Sequence, residues 1–240
     1  MSGESLQTPL VSTSMEPMRA ILILALLAGC GGSDGDGPPD AEPDATPVAL
    51  DCPTYCGQIQ ANCTGTNAQY PDMANCMATC GTFTVGTSMV TDTSGNTLGC
   101  RVYHSGAPAK TAPAMHCPHA GPAGDQLTAT PQGGCSGGDA CASFCALEIK
   151  ACGSVDAPLP GNPRDSTNNP IFQYQNMANC MSVCAGYDKT HVYSTTSAGN
   201  SLACRLRHAT TAAISVANAM TECPYTGMPP TGPCTGTPTP

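Results

Sequence analysis

The chain is predicted to form a small, mainly α-helical, disulfide-rich fold. It reads as two tandem homologous modules of about three short helices each, joined by long irregular loops. Three observations carry that prediction. Seventeen of the 240 residues are cysteine, whereas tryptophan is absent and only three phenylalanines are available to fill a core. Sixteen of the cysteines fall into two matching sets of eight. Within each set, neighbouring cysteines are spaced for one face of a helix. A chain this poor in large apolar side chains needs covalent staples. An even set of cysteines in an exported chain reads as a disulfide framework formed in an oxidising compartment.

The first set is Cys52, Cys56, Cys63, Cys76, Cys80, Cys100, Cys117 and Cys135, and the second is Cys141, Cys145, Cys152, Cys180, Cys184, Cys204, Cys223 and Cys234. Each opens C-x3-C-x6-C, continues with a second C-x3-C after a variable loop, and adds a cysteine after nineteen further residues. The intervening sequence repeats as well. "YPDMANCMATC" (Tyr70 to Cys80) matches "YQNMANCMSVC" (Tyr174 to Cys184), and "GNTLGCRVYH" (Gly95 to His104) matches "GNSLACRLRH" (Gly199 to His208). This is a tandem duplication with its boundary around Ser136 to Asp139.

The elements follow in order. At about 100° per residue, Cys52, Cys56 and Cys63 fall near 0°, 40° and 20°, on one face of a first helix that carries a proline in its opening turn. Cys76 and Cys80 share a face of a second helix, with Asp72 placed as N-cap. Met73 and Met77, and their counterparts Met177 and Met181, lie within the same broad stripe and are expected to fill gaps in the core. A third helix begins near Asn96 or Thr97 and carries Cys100 and His104 one turn apart. The second copy is expected to continue helically through "ATTAAISVANAM", where Pro108 and Pro113 break up the first copy. Spacing alone leaves 105 connectivities open for eight cysteines. Resemblance to twin C-x3-C helical hairpins favours two bridges between the C-x3-C segments of each module. Cys63, Cys100, Cys117 and Cys135 would then supply the rest of the first module.

The N-terminal region points to export. Arg19 precedes nine apolar residues, Ala20 to Ala28, a run too short for a bilayer, which takes about 20, but suited to a signal-peptide core. Leu27-Ala28-Gly29-Cys30 resembles the lipobox of bacterial lipoproteins. The resemblance implies that residues 1–29 are a removed signal peptide and that Cys30 becomes the acylated N-terminus. Met1 to Pro17 is mostly polar, so translation is expected to start at Met15 or Met18. Residues 30–50 carry the lipidated cysteine and a linker with four prolines, five acids and no base, a composition that stays extended. Residues 51–135 and 136–234 are the two modules, and residues 235–240 are expected to be a disordered tail. Gly31 and Gly32 follow Cys30 with no aspartate, which in the lipoprotein sorting rule implies the outer membrane. With the "MANCM", "GNTLGCRVYH" and "HCPHAGP" blocks added, the chain resembles cysteine-rich lipoproteins of myxobacterial type. That resemblance implies export and a modular build and brings no established activity.

Few residues suggest chemistry. His104, His116 and His119, with Met115 nearby, form a candidate metal-ligating set, because imidazole suits Zn, Cu, Ni and haem iron. The second module argues against a shared site, since Glu222 replaces His116 and Tyr225 replaces His119. The plainer expectation is that His104 and His208 hydrogen-bond near the third helix while His116 and His119 are solvated. Arg101 and Arg205 are expected to bond backbone carbonyls. No hydrolase elbow, P-loop, H-E-x-x-H or C-x-x-C-H is present. A formal net charge of −9 with no basic patch excludes nucleic acid. The sequence therefore predicts a lipid-anchored envelope protein that is not an enzyme and needs no cofactor. It would meet the membrane through its anchor and bind an unidentified protein or glycan partner, or serve structurally. The alternative is a metal- or haem-binding lipoprotein.

Overall fold

Asp51 and Pro53 fix the start of the first helix, α1 (Cys52–Asn62). The Asp51 carboxylate accepts from the Thr54 N–H at 2.8 Å, and Pro53 sits in the first turn, where no N–H is needed. The computed structural model describes residues 48–86, 92–125, 133–159, 162, 164, 168, 170–229 and 231–239. The signal peptide, Cys30 and all but the last three residues of the linker lie outside the described residues. After α1 come α2 (Met73–Cys80), α3 (Leu98–Ser105), α4 (Ala107–Thr111) and α5 (Pro113–Ala120). The second half contains α6 (Ala140–Cys152), α7 (Met177–Cys184), α8 (Leu202–Ala212) and α9 (Val216–Glu222). Among the described residues there is no strand, only three isolated β-bridges. No helix there is long and apolar enough to cross a membrane.

The repeated motifs are helix starts. Asp72 and Asn176 cap α2 and α7, accepting from the N–H groups of Asn75 and Asn179. In "GN[TS]L" the glycine takes a left-handed conformation, φ 89° at Gly95 and 75° at Gly199, that only glycine adopts without strain. Thr97 and Ser201 then cap α3 and α8 by accepting from the Cys100 and Cys204 N–H groups.

Pro108 and Pro113 do not abolish helix. Each falls in the first turn of a short helix, so the stretch is divided into α4 and α5. The second half does not run through either. Its helix stops at Ala212, and Ser215 caps a new one by accepting from the Asn218 N–H at 3.1 Å. The fold is mainly helical and disulfide-rich as expected, with five and four helices among the described residues of the two halves where about three per module were expected.

All sixteen cysteines from Cys52 to Cys234 are bridged. The C-x3-C segments pair as Cys52–Cys80 and Cys56–Cys76, repeated as Cys141–Cys184 and Cys145–Cys180. Cys63–Cys117 and Cys100–Cys135 complete the first half, and Cys152–Cys223 and Cys204–Cys234 the second.

Around these bridges each half packs three aromatic rings edge to face: Tyr55, Tyr70 and Phe83 in one, Phe144, Tyr174 and Tyr187 in the other. The second hydroxyl changes position between copies, from the first ring to the third, yet a tyrosine reaches the same carbonyl in both. Tyr55 donates to the Ala120 carbonyl at 2.6 Å and Tyr174 to the equivalent Thr226 carbonyl at 2.7 Å. Arg101 and Arg205 are fully buried, stacked over Phe83 and Tyr187 at 3.8 and 4.0 Å, and both donate to backbone carbonyls.

Two expectations are corrected. Met73, Met77 and Met177 are 47%, 37% and 43% exposed, because the cysteines occupy the inner face of these eight-residue helices. Only Met181 packs against the core. Residues 235–239 are not a free tail: Thr239 pairs with Ala198, and the Gly236 carbonyl accepts from Asn200 N–H. Backbone groups that would otherwise be unpaired beside the Gly199 turn are satisfied this way.

Thr46–Pro240 forms one compact unit, so the two halves share an interface. Tyr193 of the second half donates to the Gln69 carbonyl of the first at 3.2 Å, and Arg101 reaches Ser143 Oγ at 3.4 Å.

Candidate metal centre

The Cys63–Cys117 bridge ties the middle of α5 to the end of α1, and Cys100–Cys135 brings residues 133–135 back beside α3. These two staples collect His104 from α3 with His116 and His119 from α5. One nitrogen from each of the three imidazoles lies within 4.8 Å of the others. His104 and His116 rings stack at 5.1 Å, and His119 stands edge-on to both, at 5.0 and 5.7 Å.

Burial corrects the expectation of solvated side chains. His119 is only 3% exposed and His104 5%, while His116 is half-buried. His119 is covered because residue 134 is glycine: a Cβ there would stand 2.8 Å from the imidazole. The returning segment also donates from Cys135 N–H to the His119 carbonyl.

The hydrogen bonds define the donor atoms. His104 Nε2 lies 3.0 Å from the Thr93 carbonyl, which can only accept, so Nε2 carries the proton and Nδ1 presents a lone pair. That Nδ1 is 2.9 Å from His116 Nδ1. Neither ring nitrogen of His119 has a hydrogen-bond partner, although its Nε2 lies 3.8 Å from an Asp125 carboxylate oxygen. Burial holds the His104 imidazole below its ordinary pKa, opposed by the Thr93 carbonyl and aided by His116. Burial does the same to His119, with His104 adding and Asp125 opposing. Both shifts favour the neutral imidazole, the form that binds metal.

The second half keeps the frame and changes the donors. His208 occupies the His104 place and Tyr225 the His119 place, with the same edge-on stacking at 5.1 Å. Glu222, in the His116 place, accepts a hydrogen bond from His208 Nδ1. Burial lowers the His208 pKa, while Glu222 raises it. In both halves a histidine also neighbours two cysteines, Cys100 with Cys135 and Cys204 with Cys234. Those sulfurs are bonded to each other and offer no thiolate.

Thr93, Asp125 and Gly134 escaped the reading of the sequence. A signal existed for Asp125: counted from the matching cysteine, the second half has Thr231 there, so the differences between the copies gather around one histidine.

Fold and site together define a disulfide-stapled helical duplication with a histidine cluster in one copy. The family model described as the BfoA family C-terminal domain matches residues 48–143, which span the three clustered histidines and the first nine bridged cysteines, Cys52 to Cys141. That match and the disulfide content fit a cysteine-rich bacterial protein. No curated protein and no solved structure matches the chain.

Proposed function

We propose that the protein is an exported cell-envelope lipoprotein, anchored through Cys30 to the outer membrane, that displays its two stapled halves in a non-catalytic binding or structural role. One observation carries this reading. Eight bridges close sixteen of the seventeen cysteines, which supports export to an oxidising compartment, and Cys30 is the one left over, one residue beyond the apolar Ala20 to Ala28 run. The bridged cysteines leave no free thiol among the described residues for nucleophilic or exchange chemistry, which favours binding over catalysis. A cleft of about 510 Å³ between the halves, lined by Ala78, Thr82, Lys150, Ala212 and Val216 among others, supports a bound partner such as a protein segment or glycan.

The test is metabolic labelling with an alkyne fatty acid in a bacterial host. The mature protein is expected to take up label and to fractionate with the outer membrane, and Cys30→Ser is expected to abolish both. Label retained by Cys30→Ser, or an unlabelled soluble product from the wild type, refutes the anchor.

A further inference from the structure

We propose that His104, His116 and His119 bind one divalent ion of the borderline transition metals, Zn²⁺, Cu²⁺ or Ni²⁺, in the first half of the chain only, leaving a coordination position open to an outside ligand. The inference goes beyond an anchored display protein and holds whether or not Cys30 carries lipid.

Geometry comes first. Three donors within 4.8 Å of one another surround a centre at most about 2.8 Å from each, the circumradius of an equilateral triangle of that side. A Zn–N bond is roughly 2.0–2.1 Å, so each ring needs to close by less than about 1 Å. Nitrogen-only donors select Zn²⁺, Cu²⁺ and Ni²⁺ over Ca²⁺ and Mg²⁺, which take oxygen. Three protein ligands are one short of a closed tetrahedral site.

The second observation is independent of that convergence. His119 is buried to 3% exposure, and both of its ring nitrogens lack a hydrogen bond. A buried polar group left unsatisfied is destabilising, and a coordinate bond would satisfy one of the two nitrogens. The surroundings complete the pattern. Ligating histidines characteristically give their other ring N–H to a carbonyl or carboxylate. His104 does so to Thr93, and Asp125 stands beside His119.

The second half is a built-in comparison. There His208 Nδ1, the equivalent of the donating nitrogen, is already committed to Glu222, and a neutral phenol replaces the third imidazole. The second half builds the same frame with Glu222 and Tyr225 in place of two imidazoles, so the histidines are not needed to fill the space.

The experiment uses the full-length, oxidised protein in detergent, stripped with chelator and loaded separately with Zn²⁺, Cu²⁺ and Ni²⁺. Elemental analysis is expected to return one equivalent per chain with Cu²⁺, which nitrogen donors hold most tightly of the three ions, and the bound ion to raise the melting temperature. Cu²⁺ electron paramagnetic resonance is expected to show three imidazole nitrogens. His116→Glu with His119→Tyr installs what the second half already accommodates and is expected to reduce binding to zero with all eight disulfides intact, while His208→Ala keeps one equivalent. No bound ion in the wild type, two equivalents, fewer than three imidazole nitrogens, unchanged binding in the double variant, or free thiols appearing with the metal would each overturn the proposal. The resonance measurement needs only the wild type, so the test stands even where a variant misfolds.

Discussion

Glu148 is fully buried on α6, in the place that Ile59 fills in the first half, and burial pushes its carboxyl up to about 8 against the opposing hydrogen bond from Thr226. The contacts argue for the protonated form as well. Thr226 Oγ1 lies 2.7 Å from both Glu148 Oε1 and the Cys223 carbonyl, and its one proton is at best shared between the two acceptors. A protonated Glu148 carboxyl has a proton of its own to donate to Thr226, which frees the hydroxyl proton for the Cys223 carbonyl. An unfolded glutamate titrates near 4.5, so between pH 4.5 and 8 the folded chain holds a proton that the unfolded chain has released. The stability this contributes is complete below 4.5 and is lost as pH rises through 8, with a slope of at most about 1.4 kcal/mol per pH unit. Urea unfolding from pH 5 to 8 is expected to show that decline in the wild type, with Glu148→Gln flattening it. His104, His119 and His208 act in the opposite sense, because their lowered folded pKa values make stability fall as pH drops below the usual histidine range. The difference between wild type and Gln isolates the carboxyl. An identical slope in both chains would show that Glu148 is ionised in the fold.

Among the elements, α5 depends most on covalent support. It has eight residues, no side-chain cap and Pro118 inside it, too little to persist alone. Cys63–Cys117 holds it against α1 across 54 residues of chain, a closure worth about 4 kcal/mol in the loop-entropy account. Replacing both cysteines with alanine is expected to cost up to about that much in urea unfolding and to abolish metal binding. Removing Cys152–Cys223, its counterpart in the second half, is expected to cost about as much and leave the metal in place. Metal retained without Cys63–Cys117 would mean that packing of α5 and the remaining Cys100–Cys135 bridge hold the three histidines together. Caps are a smaller and separable contribution: Asp72→Ala and Asn176→Ala are each expected to lower stability by about 1 kcal/mol without touching the site.

This is also where the sequence was most legible. Asp72, a third-helix start near Asn96 or Thr97, and the cysteine faces of α1 and α2 were readable because a cap or a one-turn spacing is a local matter. The break at Ala213–Ser215 was not, because alanine and threonine favour no stop and the cap lies at its far end. His116 and His119 could be named from the sequence, but the burial of His119 depends on Gly134 returning through a bridge to α3, a contact between distant segments.

At the scale of the whole molecule, a duplicated sequence leaves open whether the copies fold independently. Three hydrogen bonds decide it, and each joins groups that no local pattern relates. Tyr193, buried to 4% exposure, donates to the Gln69 carbonyl 124 residues away; Arg101, at the centre of the first half, reaches Ser143 on α6; Lys150 Nζ donates to the Thr82 carbonyl just after α2. Two of these tie the core of one half to the other rather than rim to rim, so opening either half strips partners from its neighbour. The described unit is therefore expected to unfold in a single transition, with calorimetric and van't Hoff enthalpies in agreement. Independent halves of similar size would give a calorimetric enthalpy about twice the van't Hoff value. Tyr193→Phe removes the donor and leaves the Gln69 carbonyl buried, at a cost of about 1–3 kcal/mol. The expected result is one transition at lower temperature, since the other two cross-links persist. Two resolved transitions in the wild type would make the halves beads on a string. The cleft between them would then be two unrelated surfaces, and the partner would have to be sought on each half separately.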